Sequence, residues 1–553
     1  MRRLATLALP LALLALALVL DAVDPPLVER LRLAVFDAYQ QLSPREPAGA
    51  PVRIVEIDDA SLDRIGQWPW PRRAIIDLLD RLDERGAAAV GLSVVFAEPD
   101  RSSPDQMLRE LRDVPGFVLE APPRALLYNY DAALAQRLAE LTVATSFALT
   151  RRPNAERPAR RWGLVTAGGD PLPFLPSFAG AVVNIPRLAG AAPGNGGINV
   201  VPDVDGIVRE LPLLAALDGE AYPSLAAELL RIVQGASTYV VRVATTQRTL
   251  GLGGATGIES LRIGALELAT TPGGSQLVHF AGHRPERFVP AWQVLEGRID
   301  PALIEGHIVL VGVSAAGLAD VVATPLDPAA LGIEVQAELL EQVLEGRRLV
   351  RPDWAHGVEA LFLLGGGLVL IAVLTRLGAA SGAVLGLAVL ALTLVLSIYA
   401  FREHRLLLDP VLPLLTLVVL YVVTTVQGYW RTEAERAEVR RAFSLYLAPE
   451  LVRRVAANPD QLKLGGEARE LTILFCDIRG FTTLSETMTA EQLTRFINRF
   501  LTPMTDAIQD HDGTIDKYMG DAVMAFWNAP LDVPDHAAKA VAATLEMRRR
   551  LDA

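Results

Sequence analysis

The chain is 553 residues long, 51% hydrophobic and 21% charged, with a net charge of −12 and a positive mean hydropathy. At about 150 residues per unit the length predicts three or four structural units, and the apolar excess predicts a membrane protein with soluble parts. The acidic balance, with no basic patch interleaved with aromatics, argues against nucleic-acid binding, and the single cysteine, Cys476, excludes an internal disulfide framework.

Residues 4–20 are continuously apolar, preceded by Arg2 and Arg3 and followed by Asp21, Asp24, Pro25 and Pro26. The run is at the short limit for a membrane span. No small-x-small cleavage site follows, so it reads as an uncleaved anchor rather than a signal peptide. Residues 27–349 then read as a soluble, mixed α/β segment without disulfide support. Strand-like runs occur at 52–57, 87–96, 143–149, 181–185 and 308–313, with helical patterns at 75–85, 224–233 and 335–344. The Pro/Gly/Ala-rich stretches 151–170 and 189–197 read as long loops.

Within this segment Ile57-Asp58-Asp59-Ala60-Ser61-Leu62 and Trp68-Pro69-Trp70-Pro71-Arg72 join a strand to a helix. Asp58, Asp59, Asp203 and Asp205 suit capping and turn roles better than cation coordination. Two readings stand for Trp68 and Trp70: the wall of a ligand pocket, or core packing.

Three further apolar stretches, 358–374, 382–401 and 411–426, are each about long enough to span, joined by short links at 375–381 and 402–410. Glycines 365 to 367 suit close helix packing. With the first anchor this makes four spans, which puts both ends on one side. Arg2, Arg3, Arg431, Arg436, Arg440 and Arg441 favour the cytoplasm for that side, while Arg402 and Arg405 oppose it locally. The linker 431–467 is helical in pattern to about 456, with Phe443, Tyr446, Leu447, Leu451 and Val455 at helical spacing. That stripe fits a parallel dimer contact or packing on its own domain, and it is too short to define a coiled coil.

The last stretch, 468–553, carries the chemistry. An apolar, β-branched run at 471–476 has the character of a buried strand and ends at Asp477. Asp512-Gly513 signals a turn, and two short runs around Met519-Gly520-Asp521 read as a hairpin with Asp521 at its tip. Two carboxylates at neighbouring strand ends suit a pair of hard divalent cations. The turn Arg479-Gly480-Phe481-Thr482 leads into a helix whose free amides suit a polyphosphate, and Lys517 adds a donor nearby. Cys476 beside Asp477 reads as a packed strand thiol.

In Phe475-Cys476-Asp477-Ile478-Arg479-Gly480-Phe481-Thr482 and Asp516-Lys517-Tyr518-Met519-Gly520-Asp521-Ala522 the chain resembles the class III nucleotidyl cyclases. The resemblance implies a ferredoxin-like α+β catalytic domain. It implies that Asp477 and Asp521, assisted by the Ile478 carbonyl, bind two Mg²⁺ or Mn²⁺ ions, and that Lys517 contacts the purine and favours ATP. The family's second purine contact and its transition-state Asn and Arg lie downstream of the matched region, and the chain ends at Ala553, so only the N-terminal part of that domain is expected here.

The segment 27–349 resembles the second class of CHASE sensory domain, on the Asp-Asp-Ala-Ser-Leu and Trp-Pro-Trp-Pro-Arg runs above all. Together these imply a multi-domain membrane protein of the bacterial inner membrane: an α/β extracytoplasmic sensor for an unknown ligand, transmembrane helices, and part of a cytoplasmic cyclase domain. The implied function is a homodimeric receptor adenylate cyclase that makes cyclic AMP and pyrophosphate from ATP. The alternatives are a guanylate cyclase and a catalytically inert receptor. A diguanylate cyclase is excluded by the absence of a Gly-Gly-Asp/Glu-Glu-Phe run.

Overall fold

The computed structural model describes residues 2–23, 25–49, 51–112, 123, 127–244, 257–352, 354–443, 468–529 and 532–552. Its contacts divide the chain into two units, Met1–Val422 and Val423–Ala553.

The first unit opens with helix α1 (Arg2–Val23) and helix α2 (Pro26–Leu42). There follow strand β1 (Val52–Ile57), α3 (Arg72–Glu84), β2 (Ala89–Leu92), α4 (Tyr130–Glu140) and β3 (Val143–Thr150). Next come β4 (Gly163–Ala167), β5 (Gly194–Gly197), α5 (Leu225–Val233), β6 (Phe288–Pro290), α6 (Ala291–Leu295), β7 (Ile308–Val313) and α7 (Gly332–Leu344). The parallel part of the main sheet runs β6-β1-β7-β2-β3, with Val52 opposite Ile308 and Ile57 opposite Val313, and Gly180–Val182, overlapping the strand read at 181–185, adds antiparallel to β3.

Alternation along these strands serves two faces. Val55, Ile57, Val309 and Val311 pack against Ile75, Leu78 and Leu82 of α3, whereas Val52, Ile54, Ile308 and Leu310 pack against Leu229 of α5 and Val335 and Leu339 of α7. Burial on both faces is why the strands read as unbroken apolar runs. The stretches read as loops hold strands instead. β4 pairs with Thr238–Ala244, and the glycine-rich β5 pairs with β3. A Cβ at Gly196 would lie 2.5 Å from the Leu225 Cα, so tertiary contact, not strand propensity, selects these glycines.

The capping role read for Asp58 is present, its carboxylate accepting from the Ser61 amide at 2.8 Å. Asp203 and Asp205 do more than shape a turn. With Asp37 they surround the buried Arg209 guanidinium at 2.6–2.8 Å.

A second charge cluster lies along α7. Arg45 binds Glu338 and Glu341 at 2.6 Å each and Glu345 at 3.0 Å, while Arg287 binds Glu338 at 3.1 Å and Glu341 at 2.9 Å. All five side chains are 5% exposed or less.

Helices α8 (Ala355–Leu377) and α9 (Ala379–His404), with the apolar part of α10 (Val411–Phe443), are long and apolar enough to cross a membrane. The link expected at 375–381 contracts to Gly378, because both helices run further than their apolar centres. The first anchor qualifies together with α2, which bends away by 73° after residue 21, so up to four spans result. Leu14 and Ala17 of α1 pack with Leu370 and Leu420 of the other helices. Of the three glycines read as packing sites, Gly367 fits best: a Cβ there would meet Leu14 Cδ1 at 2.6 Å, while Gly365 faces open space. In the linker, residues 444–467, with Tyr446, Leu447, Leu451 and Val455, lie outside the described residues.

The second unit contains β8 (Thr472–Cys476), α11 (Phe481–Glu486), α12 (Ala490–Asp510), β9 (Thr514–Met519), β10 (Ala522–Trp527) and α13 (His536–Asp552). Its antiparallel sheet has the order β8-β10-β9, in keeping with an α+β cyclase fold. Thr489 and Gln492 form a capping box that starts α12. Met504 and Ile508 of α12 and Ala543 and Met547 of α13 cover one sheet face, through Ile515, Val523, Ala525 and Trp527. Among the described residues no element covers the other face. The strand expected to be buried at 471–476 is therefore buried on one side only, with Ile473 52% and Phe475 63% exposed.

Candidate metal and nucleotide site

Strand pairing delivers the two carboxylates to one place. Cys476, the last residue of β8, is opposite Val523 near the start of β10, so Asp477 and Asp521 emerge at the same sheet edge. Gly520, at φ +67°, makes the hairpin tip. The neighbouring Asp521 carboxylate holds the Asp477 carboxyl above the ordinary carboxylate range. Asp477 is exposed, and its Oδ1 accepts from the Ile478 amide at 2.9 Å.

The remaining residues read from the sequence are distributed around this pair. The Ile478 carbonyl accepts from the Phe481 amide at 3.3 Å and keeps a second lone pair. Gly480, left-handed at φ +76°, precedes the short helix α11, and among the described residues the amides of Gly480 and Thr482 have no internal partner. Lys517 is on β9 opposite Met524, in register with Phe475, and thus in one row across the open face. Its Nζ pairs with Asp516 at 3.1 Å. Asp516 was not singled out in the sequence, although the irregular register between Ile515 and Lys517 and the adjacent opposite charges set this pair.

Among the described residues no group of three or more His, Cys, Asp or Glu side chains is placed to hold a metal ion, the acidic clusters of the sensor being filled by Arg45, Arg209 and Arg287. The donor set at this edge is two carboxylates and a carbonyl, all hard oxygens, which fits Mg²⁺ or Mn²⁺ and does not suit a soft metal. Burial and the neighbouring Asp477 push the Cys476 thiol up, in line with a packed thiol rather than a reactive one.

The fold and this edge together define a sensor joined through apolar helices to a cyclase-type unit. Residues 11–373 match the CHASE2 domain and residues 466–553 the adenylate and guanylate cyclase catalytic domain. The chain belongs to the CHASE2 domain family and carries a cyclase catalytic domain at 466–553. It is similar to Adenylate cyclase 1 of Rhizobium meliloti, 36% identical over 114 residues, covering 20% of this chain and 17% of that relative. It is also similar to an adenylate cyclase of Anabaena cylindrica, 51% identical over 71 residues, covering 13% of this chain and 14% of the relative. The chain thus spans less than a fifth of the length of either. The solved adenylyl cyclase CyaB from P. aeruginosa is 42% identical over 15% of this chain and 43% of its own, with a TM-score of 0.15.

Proposed function

We propose that the protein is a multi-pass receptor adenylate cyclase of the bacterial inner membrane. The sensory segment faces outward, and the catalytic unit in the cytoplasm converts ATP to cyclic AMP and pyrophosphate. The observation that carries this reading is the strand pairing that brings Asp477 and Asp521 to one sheet edge. At neutral pH two such carboxylates favour a cation over a shared proton.

Asp477, Asp521 and the Ile478 carbonyl hold the divalent metal, two Mg²⁺ or Mn²⁺ ions. When bound, these ions neutralise triphosphate charge and lower the pKa of the ribose 3′-hydroxyl. The amides of Gly480, Phe481 and Thr482 lie in the turn just after Asp477 and receive the polyphosphate in this reading, the Phe481 amide on leaving the Ile478 carbonyl. Lys517 donates to the purine ring nitrogen that accepts in adenine and carries a proton in guanine. It must leave Asp516 to do so. Phe475 and Met524, in its row of the open face, offer apolar surface to the base. The names of the Rhizobium and Anabaena relatives support ATP as the substrate.

Homodimerisation belongs to this reading, and the exposed Ile473 and Phe475 support it as apolar surface awaiting a cover. The helix running on from the last span to Phe443 is the route by which sensing changes the dimer. Inserting a few residues near Ala437 changes regulation if this holds, and an unchanged response removes the helix from the account.

The test is product analysis with the expressed protein in membranes, supplied with Mn²⁺ and ATP or GTP. Cyclic AMP is the predicted product, reduced by at least about 100-fold in Asp477→Asn. Cyclic GMP as the main product, or undiminished turnover in that variant, overturns the proposal.

A further inference from the structure

The sensor contains a cavity of about 540 Å³ bordered by residues 68–72 and 93–102, by Ile198, and by Gly312, Val313, Leu318, Asp320 and residues 331–333. Its place in the sheet is set by topology. Strand β1 leads into α3 on one face, and β7, lying between β1 and β2, leads into α7 on the other. The chain therefore parts to opposite faces outside the carboxyl ends of these parallel strands, which is where open α/β sheets form a crevice for ligands. Gly312 at the end of β7 and Gly332 at the start of α7 both line it. A cavity of this volume accommodates a small organic molecule.

Its walls are aromatic and its charge is uneven. Trp70 is 1% exposed and packs edge-on to the half-buried Trp68, with ring centroids 5.9 Å apart. The charged lining groups are almost all engaged within the protein. Arg72 donates through Nε to Asp131 at 3.0 Å and through Nη2 to the Glu98 carbonyl at 2.6 Å, and its guanidinium lies over Phe96. Asp100 accepts from the Arg72 amide and from the amide and hydroxyl of Ser102 at 2.8–2.9 Å. Arg101 pairs with Glu98 at 2.9 Å.

One carboxylate differs. Asp320 lines the cavity, is exposed, and has no ion-pair partner among the described residues. Its Oδ2 sits 2.8 Å from where a Cβ would stand on Gly332. Counting Arg72 and Arg101 against Glu98, Asp100 and Asp320, the lining bears one net negative charge, and Asp131 behind Arg72 adds a second. A pocket with aromatic faces, an excess of carboxylate and one unpaired Asp is complementary to a cation with an apolar body.

We infer that this cavity is a ligand site of the sensor, and that it takes a small organic amine whose ammonium group pairs with Asp320 while its apolar body lies against Trp68. The Trp-Pro-Trp-Pro-Arg run then has a purpose beyond the core. Trp70 anchors the turn, its Nε1 donating to the Gly66 carbonyl at 2.9 Å, and Trp68 presents its ring.

The test uses the full-length protein in lipid nanodiscs, titrated with three isosteric probes: 2-phenylethylamine, 2-phenylethanol and phenylacetate. Tryptophan fluorescence reports occupancy, and Trp68→Phe separates this ring's signal from the other six tryptophans. The predicted result is saturable binding with the amine tighter than the alcohol by about five- to tenfold and phenylacetate weakest. Asp320→Asn, on an exposed side chain, abolishes the preference for the amine while retaining alcohol binding. Preference for phenylacetate points to the Arg72 end and overturns the inference, as does an unchanged preference in Asp320→Asn or no saturable signal from any probe. Occupancy is read without nucleotide turnover, so this outcome is independent of the cyclase proposal.

Discussion

Arg45 and Glu341 in the sensor and Asp477 and Asp521 in the catalytic unit are both tight clusters of charge, and they differ in every respect that matters energetically. In the sensor, two guanidiniums are enclosed by carboxylates of α7 at 2.6–3.1 Å, all nearly inaccessible. In the catalytic unit, two carboxylates come to one open edge with no cationic side chain between them among the described residues, Lys517 being held by Asp516. Buried charge enclosed by opposite charge is architecture, since each group depends on its partners to remain in the interior. Facing, exposed charge is an unfilled demand, and it is the pattern expected where a cation belongs to the function.

That contrast is sharpest in stability. Glu341→Ala leaves Arg45 and Arg287 short of a common partner in the interior, and is predicted to lower sensor stability by about 3–5 kcal/mol in thermal or denaturant unfolding. A loss below about 1 kcal/mol would place this cluster with ordinary surface pairs. Gly513→Ala tests packing in the other unit. A Cβ there meets Ile508 Cγ2 at 2.5 Å, Trp527 Cζ2 at 2.7 Å and the Ile508 carbonyl at 2.8 Å. It should cost about 1–3 kcal/mol, read by hydrogen exchange of β10. As a control, Arg81→Ala removes an exposed pair with Glu84 at 3.0 Å and should change stability by no more than about 0.5 kcal/mol.

The sequence made some of this legible and concealed the rest, for definite reasons. The central strands β1 and β7 fall on the predicted residues because both of their faces are buried, which leaves an uninterrupted β-branched run. β5, Gly194-Asn195-Gly196-Gly197, has no apolar signal at all, and only its fit between β3 and α5 makes it a strand. The buried ion cluster was missed because Glu334, Glu338, Glu341 and Glu345 fall on one helical stripe, which resembles a solvated face. Their partners Arg45 and Arg287 are remote in sequence. At the catalytic edge the convergence of Asp477 and Asp521 followed from strand-end positions, since two β-ladders fix both. The openness of the sheet did not, because alternation in β8 is masked by apolar residues on both faces.

The smallest predicted effect concerns protons. Asp521 raises the Asp477 carboxyl, so protonation competes with metal. Mn²⁺ affinity should therefore fall as pH drops through that raised value, at higher pH than an ordinary carboxylate would give. Asp521→Asn removes the negative charge that holds the proton, so its weaker residual binding should titrate at lower pH.

The most direct measurement is Mn²⁺ binding by electron paramagnetic resonance at neutral pH, on the intact protein and on Asp477→Asn, Asp521→Asn and the double variant. The account predicts saturable binding by the parent protein, weakened at least about tenfold by either single change and abolished by both. Equal Mn²⁺ binding in the parent and the double variant would contradict it.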